Sequence, residues 1–190
     1  MTGRDSPPPL RRLVSVPTHR DHPSTRPAPV RGVDAWGAPV SFDPVSRAEW
    51  ALLLFLSTSC EGCADVWAAA GEADSGIARE VDAVVVVTGG PTREDPDEIR
   101  HRSAEGVLTI MSDEAWTTYR VAGPPFFVLI DGVGAEVATE GVVVSPSDVV
   151  DHVRWAKRKT SSRSGSGGTT PTRGGNGSAP DHPRFSPGGQ

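Results

Sequence analysis

The chain is poor in cysteine and has no long apolar runs. Its 190 residues contain two cysteines, Cys60 and Cys63, which excludes a small disulfide-stapled scaffold because such scaffolds need many cysteines in a short chain. The longest strongly apolar run, residues 50–56, is too short to span a bilayer, and the N-terminal region has no apolar segment of signal-peptide length. As written, the sequence predicts a cytoplasmic protein without a membrane span.

A clustered basic surface is missing as well. The net charge is −5, and it divides into +4 over residues 1–31, −11 over residues 32–159 and +2 over residues 160–190. Binding to phosphate backbones requires lysine and arginine gathered on a folded face. The acidic middle segment therefore argues against nucleic acid as a partner.

Composition divides the chain into one domain and two tails. Residues 1–31 contain seven Pro and six Arg, and residues 160–190 contain eight Gly and six Ser. Neither segment can bury enough apolar surface to offset the entropy lost on ordering. We expect a single domain over residues 32–159 between disordered tails.

Within that domain the apolar pattern predicts an α/β fold. A hairpin is predicted over residues 30–42, followed by strands over residues 51–57, 81–87, 107–111, 126–130 and 136–144. Helices are predicted from near Cys60, over residues 96–101 and 113–119, and from Ser145 to the basic residues 157–159. Alternation of this kind favours a mixed, mostly parallel sheet with helices on both sides.

The stretch FLSTSCEGCADVW places both cysteines in a CxxC motif between a strand and a helix. A thiol at a helix N-terminus lies near unpaired N–H groups, which stabilise the attacking thiolate, and Cys60 occupies this position better than Cys63. A closed zinc site needs four ligands, and His101 and His152 lack ligand spacing. A redox pair is favoured, while a structural disulfide and a metal site stay open.

A second motif adds to the first. The sequence VAGPPFFVLIDGVG follows about sixty residues after the CxxC, and together the two motifs resemble the thioredoxin-like superfamily, in particular the TlpA-like thiol-disulfide oxidoreductases. The resemblance spans residues 32–159 and implies a thioredoxin-like fold. We expect neither a cofactor nor a bound metal. It implies Cys60 as nucleophile, Cys63 as resolving cysteine and Pro125 as a cis-proline that shapes the substrate contact. A disulfide-containing protein or a small thiol would be the substrate, and an electron donor of unknown identity would recycle the pair.

Several residues depart from the thioredoxin pattern. Ser59 stands where many members have Trp, and Leu54 stands where thioredoxins have a buried Asp. Between the cysteines lie Glu61 and Gly62, and a carboxylate beside Cys60 should raise the pKa of its thiol, which disfavours the reduced form. The sequence thus favours a reductase over an oxidase.

Pro124 departs from the pattern in another way. In the family, the residue before the cis-proline pairs its backbone with an extended substrate segment, and Pro124 has no N–H to donate. We expect weaker or narrower docking of protein substrates than in a general thioredoxin.

Specific residues argue for or against other interpretations of the sequence. A redox-inactive binding module with the same fold is the main alternative. A peroxiredoxin is disfavoured because Leu53 and Ser57 replace the Pro and Thr of PxxxTxxC. The TGGP sequence at residues 88–91 predicts a turn, and the acids of residues 94–98 predict a solvated helix start. Trp36, Trp67 and Trp116 are expected to pack in the core or at its rim.

The location has an alternative as well. If the natural start lies upstream, residues 1–31 would be the linker of a membrane-tethered, extracytoplasmic protein.

Overall fold

The computed structural model describes residues 26–72 and 74–164 of the chain. Seven strands are found there: β1 Val30–Val33, β2 Pro39–Phe42, β3 Trp50–Phe55, β4 Ala83–Thr88, β5 Leu108–Met111, β6 Phe126–Asp131 and β7 Glu136–Val142. Six helices accompany them: α1 Pro44–Arg47, α2 Cys63–Gly71, α3 Gly76–Glu80, α4 Pro96–Arg102, α5 Asp113–Thr118 and α6 Pro146–Ser164. None of these helices combines the length and apolar character needed to cross a membrane.

The sheet is built around β3, whose six residues are all buried. Side chains alternate across a strand, so Leu52 and Leu54 face one side of the sheet and Leu53 and Phe55 face the other. The first pair joins a core with α2, α3, α4 and α6, and the second pair joins a core with α5. Burial on both sides explains why β3 is an uninterrupted apolar run in the sequence.

The strand order is β2-β1-β5-β4-β3-β6-β7. The prediction of a mostly parallel sheet is wrong, since only the β3–β4 and β4–β5 pairs are parallel. The other four pairs are antiparallel. The hairpins β1–β2 and β6–β7 are antiparallel within themselves, and each also pairs in the antiparallel direction with one outer strand of the parallel unit β5-β4-β3. A mixed sheet with helices on both sides is confirmed.

Several element boundaries differ from the predicted ones. Helices α1 and α3 were not predicted, because four or five residues are too few to show an apolar period. Helix α6 continues five residues past the basic residues 157–159 to Ser164. Lys157 donates to the carbonyl of Glu80, at the end of α3, so this cation stabilises the end of another helix.

The predicted tails stay a prediction, and the predicted tryptophan packing is met only in part. Residues 1–25 and 165–190 lie outside the described residues, and β1 already begins at Val30, inside the first predicted tail. Trp67 and Trp116 are buried as expected. Trp36 is 74% exposed, so the packing prediction is wrong for this residue, which lies in the turn between β1 and β2.

Tyr119, just after α5, is the chain's one tyrosine. Its ring packs against Phe55, and its hydroxyl donates to the backbone carbonyl of Ala28. Burial raises the pKa of Tyr119 above the ordinary 10.0, and the negative charge of Asp43 adds to the shift. The neutral phenol is thus the form that the folded protein holds.

This shift predicts how the protein responds to alkali. A raised folded-state pKa means that the contribution of Tyr119 to stability is fully present below about pH 10 and is lost as the pH rises through the folded value. We expect tyrosinate absorbance to appear near pH 10 in denaturant, but only at a higher pH or together with unfolding in buffer. A Tyr119→Phe variant, which has no tyrosine, provides the absorbance baseline. Equal midpoints in buffer and denaturant would contradict the burial argument.

Candidate active site

The two cysteines lie where β3 gives way to α2. After Phe55 the chain makes a turn in which the N–H of Cys60 donates to the carbonyl of Ser57 at 3.3 Å. The N–H of Cys63 then donates to the carbonyl of Cys60 at 3.1 Å. Helix α2 therefore begins at Cys63 rather than near Cys60, with Gly62 as its N-cap. Cys60 lies in the turn just before the first helical N–H groups.

Cys60 and Cys63 are joined as a disulfide, with Cα atoms 5.4 Å apart. Their exposure differs: Cys63 is fully buried in the core on the α2 side, whereas Cys60 is only partly buried. An outside molecule can therefore reach Cys60 far more easily than Cys63. Glu61 and Gly62, between them, are both exposed.

Pro125 lies beside this turn although it is far away in the sequence. The Pro124–Pro125 peptide bond is cis. A Cβ added to Gly62 would lie 3.9 Å from Cγ of Pro125, so the proline ring is next to the peptide that links the cysteines. The carbonyl of Pro125 accepts from the N–H of Val143 at 3.0 Å, which ties it to the residue after β7.

Two serines shape the approach to Cys60. Ser59 is exposed, and its hydroxyl lies 2.9 Å from the hydroxyl of Ser57. Ser57 is buried, and its hydroxyl also accepts from the backbone N–H of Ser59 at 3.3 Å. The polar pair closes the turn where many members of the resembled family carry Trp.

The strand position six residues before Cys60 is buried in the hydrophobic core. Leu54 is fully buried, and its partners in the sheet are Val86 on β4 and Phe127 on β6. A carboxylate at this position would lose its hydration without gaining a charged partner. Leu54 itself has no proton to exchange with the cysteines.

Glu94 contacts the site, which the sequence did not predict. Its Oε2 accepts from the backbone N–H of Thr58 at 3.0 Å and from the Thr58 hydroxyl at 2.6 Å. The prediction that Glu94 belongs to a solvated helix start is therefore wrong, while Asp95 does cap α4. No periodic pattern reveals a bond between side chains 36 residues apart, and the sequence offered no other signal for it.

Metal ligands do not gather elsewhere in the described ranges. Across residues 26–72 and 74–164, no group of three His, Cys, Asp or Glu side chains could hold a metal ion. His152 packs its ring against Phe127 at 5.3 Å.

Solved structures with similar folds share this arrangement of strands and helices. A candidate thiol:disulfide interchange protein DsbE from Chlorobium tepidum matches with a TM-score of 0.57 and 16% identity, covering 70% of this chain and 96% of that one. A secreted Mycobacterium tuberculosis disulfide oxidoreductase homologous to E. coli DsbE matches at 0.52 and 18%, covering 66% and 95%. A thiol:disulfide interchange protein from Bacteroides sp. matches at 0.52 and 12%, covering 70% and 88%.

These likenesses establish the fold. The chain has a thioredoxin-like fold, a mixed sheet flanked by helices, as the sequence resemblance implied. No protein-family model matches the chain, and no curated protein matches it in sequence.

The unequal burial of the cysteines predicts unequal reactivity. In the reduced protein we expect a limiting amount of iodoacetamide to label Cys60 about tenfold or more faster than Cys63, because the thiolate must be accessible to react. Mass spectrometry of peptides after a timed quench measures the ratio. In denaturant the two rates should converge. Equal rates in the folded protein would show that Cys63 is not shielded.

Proposed function

We propose that this protein is a thiol-disulfide oxidoreductase that exchanges disulfides through Cys60 and Cys63. The observation that carries the proposal is the pairing of a partly exposed and a fully buried cysteine at the β3–α2 junction. The partly exposed sulfur can meet an outside disulfide, and the buried one can meet only what is already attached to its neighbour. The thioredoxin-like fold supports this chemistry, and so does the presence of thiol:disulfide interchange proteins among the similar solved structures.

The exchange proceeds in two balanced steps. The Cys60 thiolate attacks one sulfur of a substrate disulfide, which forms a mixed disulfide and releases the other substrate sulfur as a thiolate that takes up a proton. The Cys63 thiol then loses its proton and attacks the Cys60 sulfur. This step releases the second substrate thiol and leaves the Cys60–Cys63 disulfide. The substrate gains two electrons and two protons, and the protein dithiol loses them.

Pro125 shapes the surface on which the substrate disulfide would lie. Its ring borders the CxxC turn, and its carbonyl is already used by Val143. Pro124 precedes it without an N–H, so an extended protein segment laid against residues 123–125 finds fewer backbone donors. A small disulfide or a narrow set of protein segments suits this surface better than a broad range of proteins.

Glu61 sets the proposed direction of electron flow. It is exposed and adjacent to Cys60, so its negative charge disfavours the thiolate and with it the reduced form. The protein then acts as a reductase more readily than as an oxidase, and a separate electron donor returns the disulfide to the dithiol. The cytoplasmic location stays a prediction, as does the extracytoplasmic alternative.

Single cysteine variants test the exchange. With glutathione disulfide or a disulfide-bonded peptide as substrate, Cys63→Ser should accumulate a mixed disulfide at Cys60, which mass spectrometry of the intact protein detects. Cys60→Ser should form none, and its turnover should fall about a hundredfold or more because the accessible nucleophile is lost. If the parent pair never cycles between dithiol and disulfide, a redox-inactive binding module is the correct interpretation.

A Glu61→Gln variant tests the direction. Removing the charge should favour the dithiol and lower the equilibrium constant for oxidation by glutathione disulfide by about threefold, the size expected for an exposed charge. High salt should reduce the difference between variant and parent. Glu72→Gln, which removes an exposed charge just after α2, serves as the control. An increase of the constant in Glu61→Gln would refute the proposed role.

A further inference from the structure

Glu94 is joined to the segment that carries Cys60. Both hydrogen bonds from Thr58, one from the backbone N–H and one from the hydroxyl, end on the same oxygen, Oε2. Thr58 and Glu94 are each half-buried, so the pair is partly shielded from water. Hydrogen bonds to an ionised acceptor are stronger than neutral ones. Thr58 follows Ser57, whose carbonyl accepts from the N–H of Cys60.

Residues 89–95, which we call the brace loop, are themselves anchored. Oδ1 of Asp113, in the first turn of α5, accepts from the N–H of Gly90 at 3.0 Å and from the Arg93 guanidinium at 3.3 Å. A Cβ on Gly90 would lie 2.7 Å from Oδ2 of Asp113, so a larger residue here would push the Asp113 side chain away from its bond to the N–H of residue 90. The guanidinium of Arg93 also lies over the Trp116 ring, 5.8 Å from its centre. The TGGP turn thus holds a loop in place against α5.

We propose that Glu94 is a positioning residue for the dithiol. This inference rests on the proposed thiol-disulfide exchange. Glu94 ties the turn before Cys60 to the brace loop through its hydrogen bonds from Thr58. Asp113 in turn ties the brace loop to α5. The tie restricts the conformations open to Cys60 and keeps its sulfur near Cys63. Restricting two reacting groups raises their effective concentration toward each other, so ring closure to the disulfide becomes more favourable.

The equilibrium with glutathione measures this effect directly. One glutathione disulfide oxidises the Cys60–Cys63 dithiol and is itself reduced to two glutathione molecules, so atoms and electrons balance. In Glu94→Ala we expect the equilibrium constant for disulfide formation to fall by up to about tenfold, because only part of the free energy of a hydrogen bond to a charged group depends on whether the cysteines are joined. A fall of about tenfold equals a potential less negative by about 30 mV for a two-electron couple. Glu94→Gln should stay within about twofold of the parent, because its amide oxygen can accept both bonds from Thr58.

Two further variants keep the test decisive if Glu94→Ala unfolds. Thr58→Val removes only the hydroxyl donor and should lower the equilibrium constant by about threefold. Thr58→Ser keeps the hydroxyl, so its equilibrium constant should equal that of the parent. Glu98→Ala removes an exposed carboxylate from the first turn of α4 and should leave the constant unchanged. Circular dichroism and the thermal midpoint of each variant report the fold separately.

The outcomes separate this inference from the proposed function. Parent cycling with a lowered constant in Glu94→Ala and Thr58→Val, but not in Glu94→Gln, supports positioning. A lowered thermal midpoint with an unchanged constant would overturn it, since Glu94 would then only stabilise the fold. An equal fall in Glu94→Gln would assign the effect to charge instead. If the parent pair does not exchange with glutathione at all, the proposed function fails first.

Discussion

The burial of β3 on both faces is the constraint on which the rest of the structure depends. Its side chains alternate between two separate cores, so the strand cannot slide by one residue without exchanging every side chain between them. Parallel pairing with β4 and antiparallel pairing with β6 hold it along its whole length. The end of β3 at Phe55 is therefore fixed, and the turn that holds Cys60 starts from a rigid point.

The same pairing brings three distant segments to one edge of the sheet. Phe55 lies opposite Val87 in the parallel pair and opposite Phe126 in the antiparallel pair. The chain leaves β3 toward the cysteines and leaves β4 toward the brace loop, whereas it enters β6 from Pro125. Because β6 runs the opposite way, the segment before its first residue lies beside the segments that follow the other two strands. Topology alone thus accounts for the meeting of the CxxC turn, Glu94 and Pro125.

The sequence allowed most of the elements to be predicted, because each depends on local rules. The apolar run of β3, the Ser112 cap of α5 and the Pro146 start of α6 have signatures within a few residues. The direction of a strand within the sheet has no such local signature. The mostly parallel sheet was wrong because β1 and β6 join the sheet through long-range pairings, and an alternating strand and helix order does not encode their direction.

The candidate site divides in the same way. Cys60 and Cys63 could be selected from their spacing and from the strand before them, and Pro125 entered through the second motif. The difference in burial between the two cysteines could not be predicted, because it depends on how α2 packs against the sheet. Glu94 could not be found either, since its partner Thr58 is a side chain on a different loop and neither residue is part of a periodic pattern.

Two carboxylates lie near the dithiol, and their surroundings give them different influence. Glu61 is exposed, so water and salt screen its charge, and its effect on the thiolate is small at physiological ionic strength. Glu94 is half-buried and receives two hydrogen bonds, which depend on geometry and are far less screened. A charge-assisted bond of this kind is worth more than an exposed charge, about 1.5–3 kcal/mol against at most about 1 kcal/mol. Glu94 thus holds the turn before Cys60 through directed hydrogen bonds, whereas Glu61 acts only through a screened charge.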